Sequence, residues 1–123
     1  MDKLSVFIRT DKTFEQFVDE FSMYFCIDLT IQKDDDGGMF CKYYCLDIES
    51  LLFSDYDLED DLGIVFSKYN YQLSLYKINR GGFSEEYNDL YYSVAKYYAR
   101  KIATDINAQC MVVRNCQTIL LET

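Results

Sequence analysis

The sequence Ser84–Ala108, SEEYNDLYYSVAKYYARKIATDINA, decides the fold. Its apolar side chains fall at Tyr87, Leu90, Tyr91, Val94, Ala95, Tyr98, Ala99, Ile102, Ala103 and Ile106, in steps of three and four that gather them on one side of a helix. Ser84 stands before Glu85 and Glu86, so its hydroxyl suits an orphan backbone N–H and the carboxylates suit the positive end of the helix dipole. Asn107 tolerates the left-handed conformation that closes many helices. One long amphipathic helix over about 84–108 is the expectation, with Tyr92 and Tyr97 off its main apolar stripe.

Such a helix needs a surface to cover, and the rest of the chain supplies strands. Leu4, Val6 and Ile8 alternate as a first strand. Thr13-Phe-Glu-Gln16 is a capping-box pattern, and Phe14, Phe17, Val18, Phe21 and Phe25 follow at helical spacing, giving a helix over about 13–26. Ile27, Leu29 and Ile31 alternate up to a turn at Asp34-Asp35-Asp36-Gly37-Gly38. A return strand from Met39 to about Ile48 carries apolar residues in both registers, which suits a central position. Gly63 admits Ile64-Val65-Phe66, and Tyr69, Tyr71, Leu73 and Leu75 then alternate with Asn70, Gln72, Ser74 and Tyr76 as a long strand closed by Arg80-Gly81-Gly82. Cys110–Val113 and Thr118–Leu121 give a strand and a short final segment. With no proline, repeat or low-complexity linker, the 123 residues form one domain, 1–123, long enough to bury roughly two thirds of the unfolded surface. The fold class is α+β: an antiparallel or mixed sheet of five to six strands with both helices packed on it.

Composition excludes much chemistry. Twelve basic against 21 acidic residues leave a net charge of −9, which opposes nucleic acid and anionic lipid and favours a basic partner. The chain contains no histidine, which removes every triad, dyad or metal site built on imidazole. Cys26, Cys41, Cys45, Cys110 and Cys116 form no CxxC pair, so free thiols are expected, without metal or cofactor. No base lies near any of them in sequence to activate a nucleophile. MDKLSVFIRT lacks the pattern of an export signal and no apolar run reaches the length of a membrane span, so a cytoplasmic location is expected. Gly37-Gly38 and Gly81-Gly82 do not extend into phosphate-binding loops. An enzyme is not expected; a pair of carboxylates is the enzymatic alternative.

The most polarised stretch runs from Asp47 to Asp61. Asp55, Asp57 and Glu59 match the opening ligands of a calcium loop, but Asp60 stands where glycine is needed and Phe66 where a bidentate glutamate is needed. Read blandly, the stretch is a solvated loop that aids solubility. Read as an interface, its carboxylates steer a basic protein while Leu51, Leu52, Phe53, Tyr56 and Leu58 supply contact area. On that reading the partner-binding residues are Asp55, Tyr56, Asp57, Glu59, Asp60 and Asp61.

The succession YNYQLSLYKI (69–78), YNDLYYSVAKYYARKIATDI (87–106) and QCMVVRNCQTILLE (109–122) resembles the small acidic immunity proteins of bacterial contact-dependent inhibition and related polymorphic toxin systems. The resemblance covers under half of the chain and lies in the order of elements and the composition, with no diagnostic motif. It implies a cytosolic protein that binds one toxin domain, often a basic nuclease, and blocks its active site or substrate path. A bacterial or phage interaction module without inhibitory role is the alternative.

Overall fold

Thr13 and Gln16 close the capping box: Thr13 Oγ1 accepts from the Gln16 N–H at 3.2 Å, and Gln16 Oε1 accepts from the Thr13 N–H at 3.0 Å. The helix they start, α1 (Phe14–Phe25), ends at Cys26 in the left-handed conformation. The structure is a computed structural model, and it describes residues 3–56, 58–61, 63–78 and 85–123. The second helix, α2 (Glu85–Asp105), runs as the periodicity requires, and Asn107 takes the left-handed φ of 58°. Ser84, Gly81 and Gly82, read above as its approach and cap, lie outside the described residues.

Among the described residues seven strands pair antiparallel: β1 (Leu4–Arg9), β2 (Gln32–Lys33), β3 (Met39–Cys45), β4 (Ile48–Phe53), β5 (Tyr71–Lys77), β6 (Gln109–Arg114) and β7 (Thr118–Glu122). Their order across the sheet is β2-β3-β4-β5-β1-β6-β7. The α+β class stands, with more strands than the five to six expected. The extra strand comes from a hairpin hidden in the expected return strand and the acidic stretch: Leu46 and Asp47 form the turn, and Ile48–Phe53 runs back along β3. The expected strand at Ile27–Ile31 is instead an unpaired segment whose Ile27, Leu29 and Ile31 pack half-buried against the core, and only Gln32 and Lys33 join the sheet. The expected alternating strand around Tyr69–Tyr76 is β5, and Phe66–Lys68 before it coil into one turn of 3-10 helix.

Alternation then sorts the side chains. Leu4, Val6 and Ile8 of β1, Leu73 and Leu75 of β5, Leu52 of β4 and Val112 of β6 point to the face that both helices cover. α1 adds Phe14, Phe17 and Phe21; α2 adds Tyr91, Ala95, Tyr98, Ala99 and Ile102. The buried stripe of α2 is centred on these residues, so that Leu90 is exposed and Val94 only half-buried. Aromatic pairs knit the layers: Phe21 stacks on Phe25 and Tyr98, and Phe14 meets Tyr71 edge-on. Tyr91 locks helix to sheet, its hydroxyl donating to Leu75 O at 2.6 Å and accepting from the Leu4 N–H at 2.8 Å. Lys12 donates to Ile106 O at 2.7 Å just beyond the end of α2 and pairs with Glu20 of α1 at 2.6 Å. Tyr97 is exposed as its place off the stripe requires, whereas Tyr92 is half-buried against the core.

Candidate functional site

The acidic stretch divides at Ser54. Up to Phe53 it is strand β4; beyond, the described residues of the stretch from Ser54 to Asn70 fold over the face of the sheet opposite the helices. Ser54 fixes the departure, its N–H donating to Met39 O at 3.0 Å and its Oγ accepting from the Met39 N–H at 3.2 Å. Ile64 and Phe66 from this flap bury a second, smaller core with Phe7 of β1 and Met111 and Val113 of β6, and Tyr56, Leu58 and Tyr69 pack against it. The flap returns to the sheet through Asn70, whose N–H donates to Ile8 O and whose Oδ1 accepts from the Thr10 N–H, both at 2.8 Å.

Hydrogen bonds set the loop's internal shape. The Tyr56 ring meets Phe7 edge-on, and its hydroxyl lies 2.7 Å from Phe66 O and 2.6 Å from Tyr69 O, so one proton serves two carbonyls. Burial, with the Asp60 charge adding to it, pushes the Tyr56 phenol up to about 12. Asp60 accepts from the Ser67 N–H and the Ser67 hydroxyl, each at 2.9 Å, and these bonds hold its carboxyl below the ordinary value. Asp61 and Ile64 exchange backbone bonds of 3.2 and 2.8 Å around Gly63, whose φ of +78° suits a residue without Cβ.

The proposed partner-binding residues therefore separate. Asp55 is exposed and shares a depression with Asp34, Asp36 and Gly38 of the β2–β3 turn. Tyr56 faces inward and serves the flap instead of presenting a ring to a partner. Asp57 lies outside the described residues. Glu59 and Asp61 are exposed along a groove of about 550 Å³, whose far wall is Asn115, Cys116 and Gln117 of the β6–β7 turn. Asp60 lines the same groove with its carboxylate engaged by Ser67. The contribution of Asp34 and Asp36 was not apparent from sequence order, because β3 and β4 separate them from Asp55; pairing β3 with β4 in sequence would have found it. Asp34 is committed to its own turn, accepting from the Asp36 and Gly38 N–H groups at 3.0 and 2.8 Å.

A different surface lies between the helices. Tyr24 and Phe25 of α1, Leu46 of the β3–β4 turn, and Val94, Tyr97 and Lys101 of α2 line an apolar groove of about 280 Å³. Leu46 and Asp47 both hold positive φ, 54° and 59°, in a turn normally given to Asn-Gly, and Leu46 is 57% exposed. Two thiols are buried away from either surface: desolvation pushes Cys41 up to about 11 and Cys110 up to about 12. No group of three metal-ligating side chains occurs among the described residues, and none of their helices is long and apolar enough to cross a membrane. Comparison with protein-family models, with curated proteins and with solved structures finds no match.

Proposed function

We propose that this chain is a stoichiometric binding protein that occludes a basic partner domain, acting in the cytoplasm as an immunity protein acts on its toxin. The observation that carries the reading is the display of Asp55, Glu59 and Asp61 on a loop stapled at both ends to a sheet, in a chain of net charge −9. Carboxylates on a rigid loop draw a cationic surface from solution and meet it without a large ordering cost. The groove beside Glu59 and Asp61 holds about 550 Å³, and Gln117 of the β6–β7 turn lines its far wall. The exposed, strained Leu46 beside the interhelical groove favours a second reading, an interaction module that grips an apolar segment without inhibiting anything.

The test is binding to a basic toxin domain sought in the reading frames next to this chain's own, measured against ionic strength with the Asp55→Asn, Glu59→Gln, Asp61→Asn variant in parallel. The variant should fold as the parent, associate more slowly with a flatter salt dependence, and protect cells expressing the domain less well. Equal association rates and equal protection would overturn the reading. Binding that survives this variant and fails with Leu46→Ser would favour the apolar-segment module.

A further inference from the structure

The layer between the helices and the sheet contains polar atoms that the fold leaves unused. Tyr43 of β3 and Ser50 of β4 are cross-strand partners, and both belong to the helix-covered face. The Tyr43 hydroxyl stands beside those of Ser50 and of Tyr98 from α2, near enough that each acts on its ionisation. Bonding geometry is not reached. Among the described residues neither Tyr43 Oη nor Ser50 Oγ has a hydrogen-bond partner, although Tyr43 is only 7% exposed and Ser50 is fully buried. A hydroxyl taken out of water and given no partner is a net cost to the fold, so this pair calls for a reason.

Tyr98 also lines the interhelical groove, so the hydroxyls stand directly behind its wall. The mouth of the groove is at the surface, where Tyr24 is 37% and Tyr97 59% exposed. Its walls are aromatic: Phe25 meets Tyr97 edge-on with centroids 6.3 Å apart, and Tyr98 at 5.0 Å. Such walls favour a ring that can stack on them or meet them edge-on. Ligand pockets hold roughly 300–1,000 Å³, so the groove's volume of about 280 Å³ suits one ring with small substituents. An anion is a poor occupant. Lys101, the cation on the rim, already donates to Asp105 at 2.8 Å and lies over the Phe25 ring at 5.7 Å. Burial raises the ionisation of both Tyr43 and Tyr98, so the cluster offers neutral hydroxyls that donate and accept alike.

We propose that the interhelical groove binds a small uncharged aromatic molecule bearing a hydroxyl, a phenol by chemical class. Its ring lies among Phe25, Val94 and Tyr97, and its oxygen bonds the Tyr98 hydroxyl. The ligand then adds one member to the row Ser50, Tyr43, Tyr98, and small rotations close the row into a chain in which every hydroxyl has a partner. Recognition rests on the single hydroxyl, because an apolar ring of the same shape fills the groove and leaves the row as it was. The site lies away from the flap carboxylates and does not depend on the basic partner proposed above.

Toluene and p-cresol, which differ by that hydroxyl, test the site by amide chemical-shift titration of the whole chain. The cresol should shift Phe25, Cys45, Val94 and Tyr98 saturably and bind about fivefold or more tighter than toluene, the worth of one or two hydrogen bonds. Tyr98→Phe should bring the affinity for p-cresol down to that for toluene and leave toluene binding unchanged. Tyr43→Phe with Ser50→Ala removes only the unpaired hydroxyls; this variant should melt no lower than the parent and prefer p-cresol less strongly than the parent does. Equal affinity of the parent for the two compounds would make the groove merely apolar and overturn the proposal. So would a preference that survives Tyr98→Phe, shifts centred on other residues, or no saturable binding of p-cresol at millimolar concentration.

Discussion

The two faces of the sheet are built on different principles. The helix-covered face buries leucine, valine, isoleucine and aromatic side chains from five of the strands beneath two helices, and its members are almost without exposure. The other face has a core of five buried residues under an irregular loop, beside a buried polar trio in which Gln72 Nε2 donates to Ser5 Oγ at 3.0 Å and to Ser74 Oγ at 2.9 Å. Periodic elements buy the stability, and the aperiodic flap positions surface groups on top of it. A substitution under the helices should therefore act on folding, and one at the flap on local closure and recognition.

The sharpest way to break this contrast is Leu73→Ala. Leu73 is fully buried beneath the helices, and truncation should cost about 3 kcal/mol, the range for a leucine whose cavity cannot collapse. Urea denaturation would measure it, and a loss below about 1 kcal/mol would show that the helical layer is not the main source of stability.

Tyr56→Phe probes the flap with a smaller effect. It strips the hydroxyl that serves Phe66 O and Tyr69 O and should cost about 1–2 kcal/mol, with faster amide exchange confined to residues 58–70. It also has a pH signature. The folded phenol ionises near 12 while the unfolded one ionises near 10, so the contribution is intact below about pH 10 and is lost as pH rises from there toward 12. The variant should lose less stability than the parent over that window, and parallel alkaline melts would show it.

The β3–β4 turn offers a gain. Leu46→Asn with Asp47→Gly places residues suited to positive φ at both positions and should stabilise by about 0.5–1 kcal/mol, read as a higher urea midpoint with unchanged slope. The smallest effect belongs to Asp60→Asn. Its carboxyl is held below the ordinary value by Ser67, so the stabilisation is present above the unfolded pKa of about 3.9 and is lost as pH falls through the lower folded one. The variant should show a weaker acid dependence below about pH 4 than the parent, and identical acid titrations would place the Asp60–Ser67 contact outside the energetics of folding.

What the sequence revealed follows the same division. Thr13 with Gln16, the Asp34–Gly38 turn and the period of α2 are local signals, and each produced its element. The β3–β4 hairpin stayed hidden because Leu46-Asp47 carries none of the chemistry of a tight turn; its positive φ values are imposed by the ladder on either side. The flap stayed hidden for another reason. Tyr56, Leu58, Ile64 and Phe66 keep no single period, and the contacts that fix them, Tyr56 to Phe66 and Asp60 to Ser67, are loop to loop. The carboxylates could be counted in the sequence, but which were displayed and which were employed depended on those contacts.

The central place of β1 has a consequence for the making of the molecule. Its two neighbours in the sheet are β5, paired through Tyr71–Leu75, and β6, paired through Gln109–Arg114, so β1 has no ladder partner until β5, far along the chain from it, has been made. The Leu4 N–H waits as long for the Tyr91 hydroxyl. During that interval the apolar run from Leu4 to Ile8 is a bare strand, the kind of segment that chaperones bind and that pairs wrongly when many chains are made at once. With its central pairings so distant in sequence, the domain belongs among slow folders, on the scale of milliseconds to seconds, and high-level expression should favour low temperature.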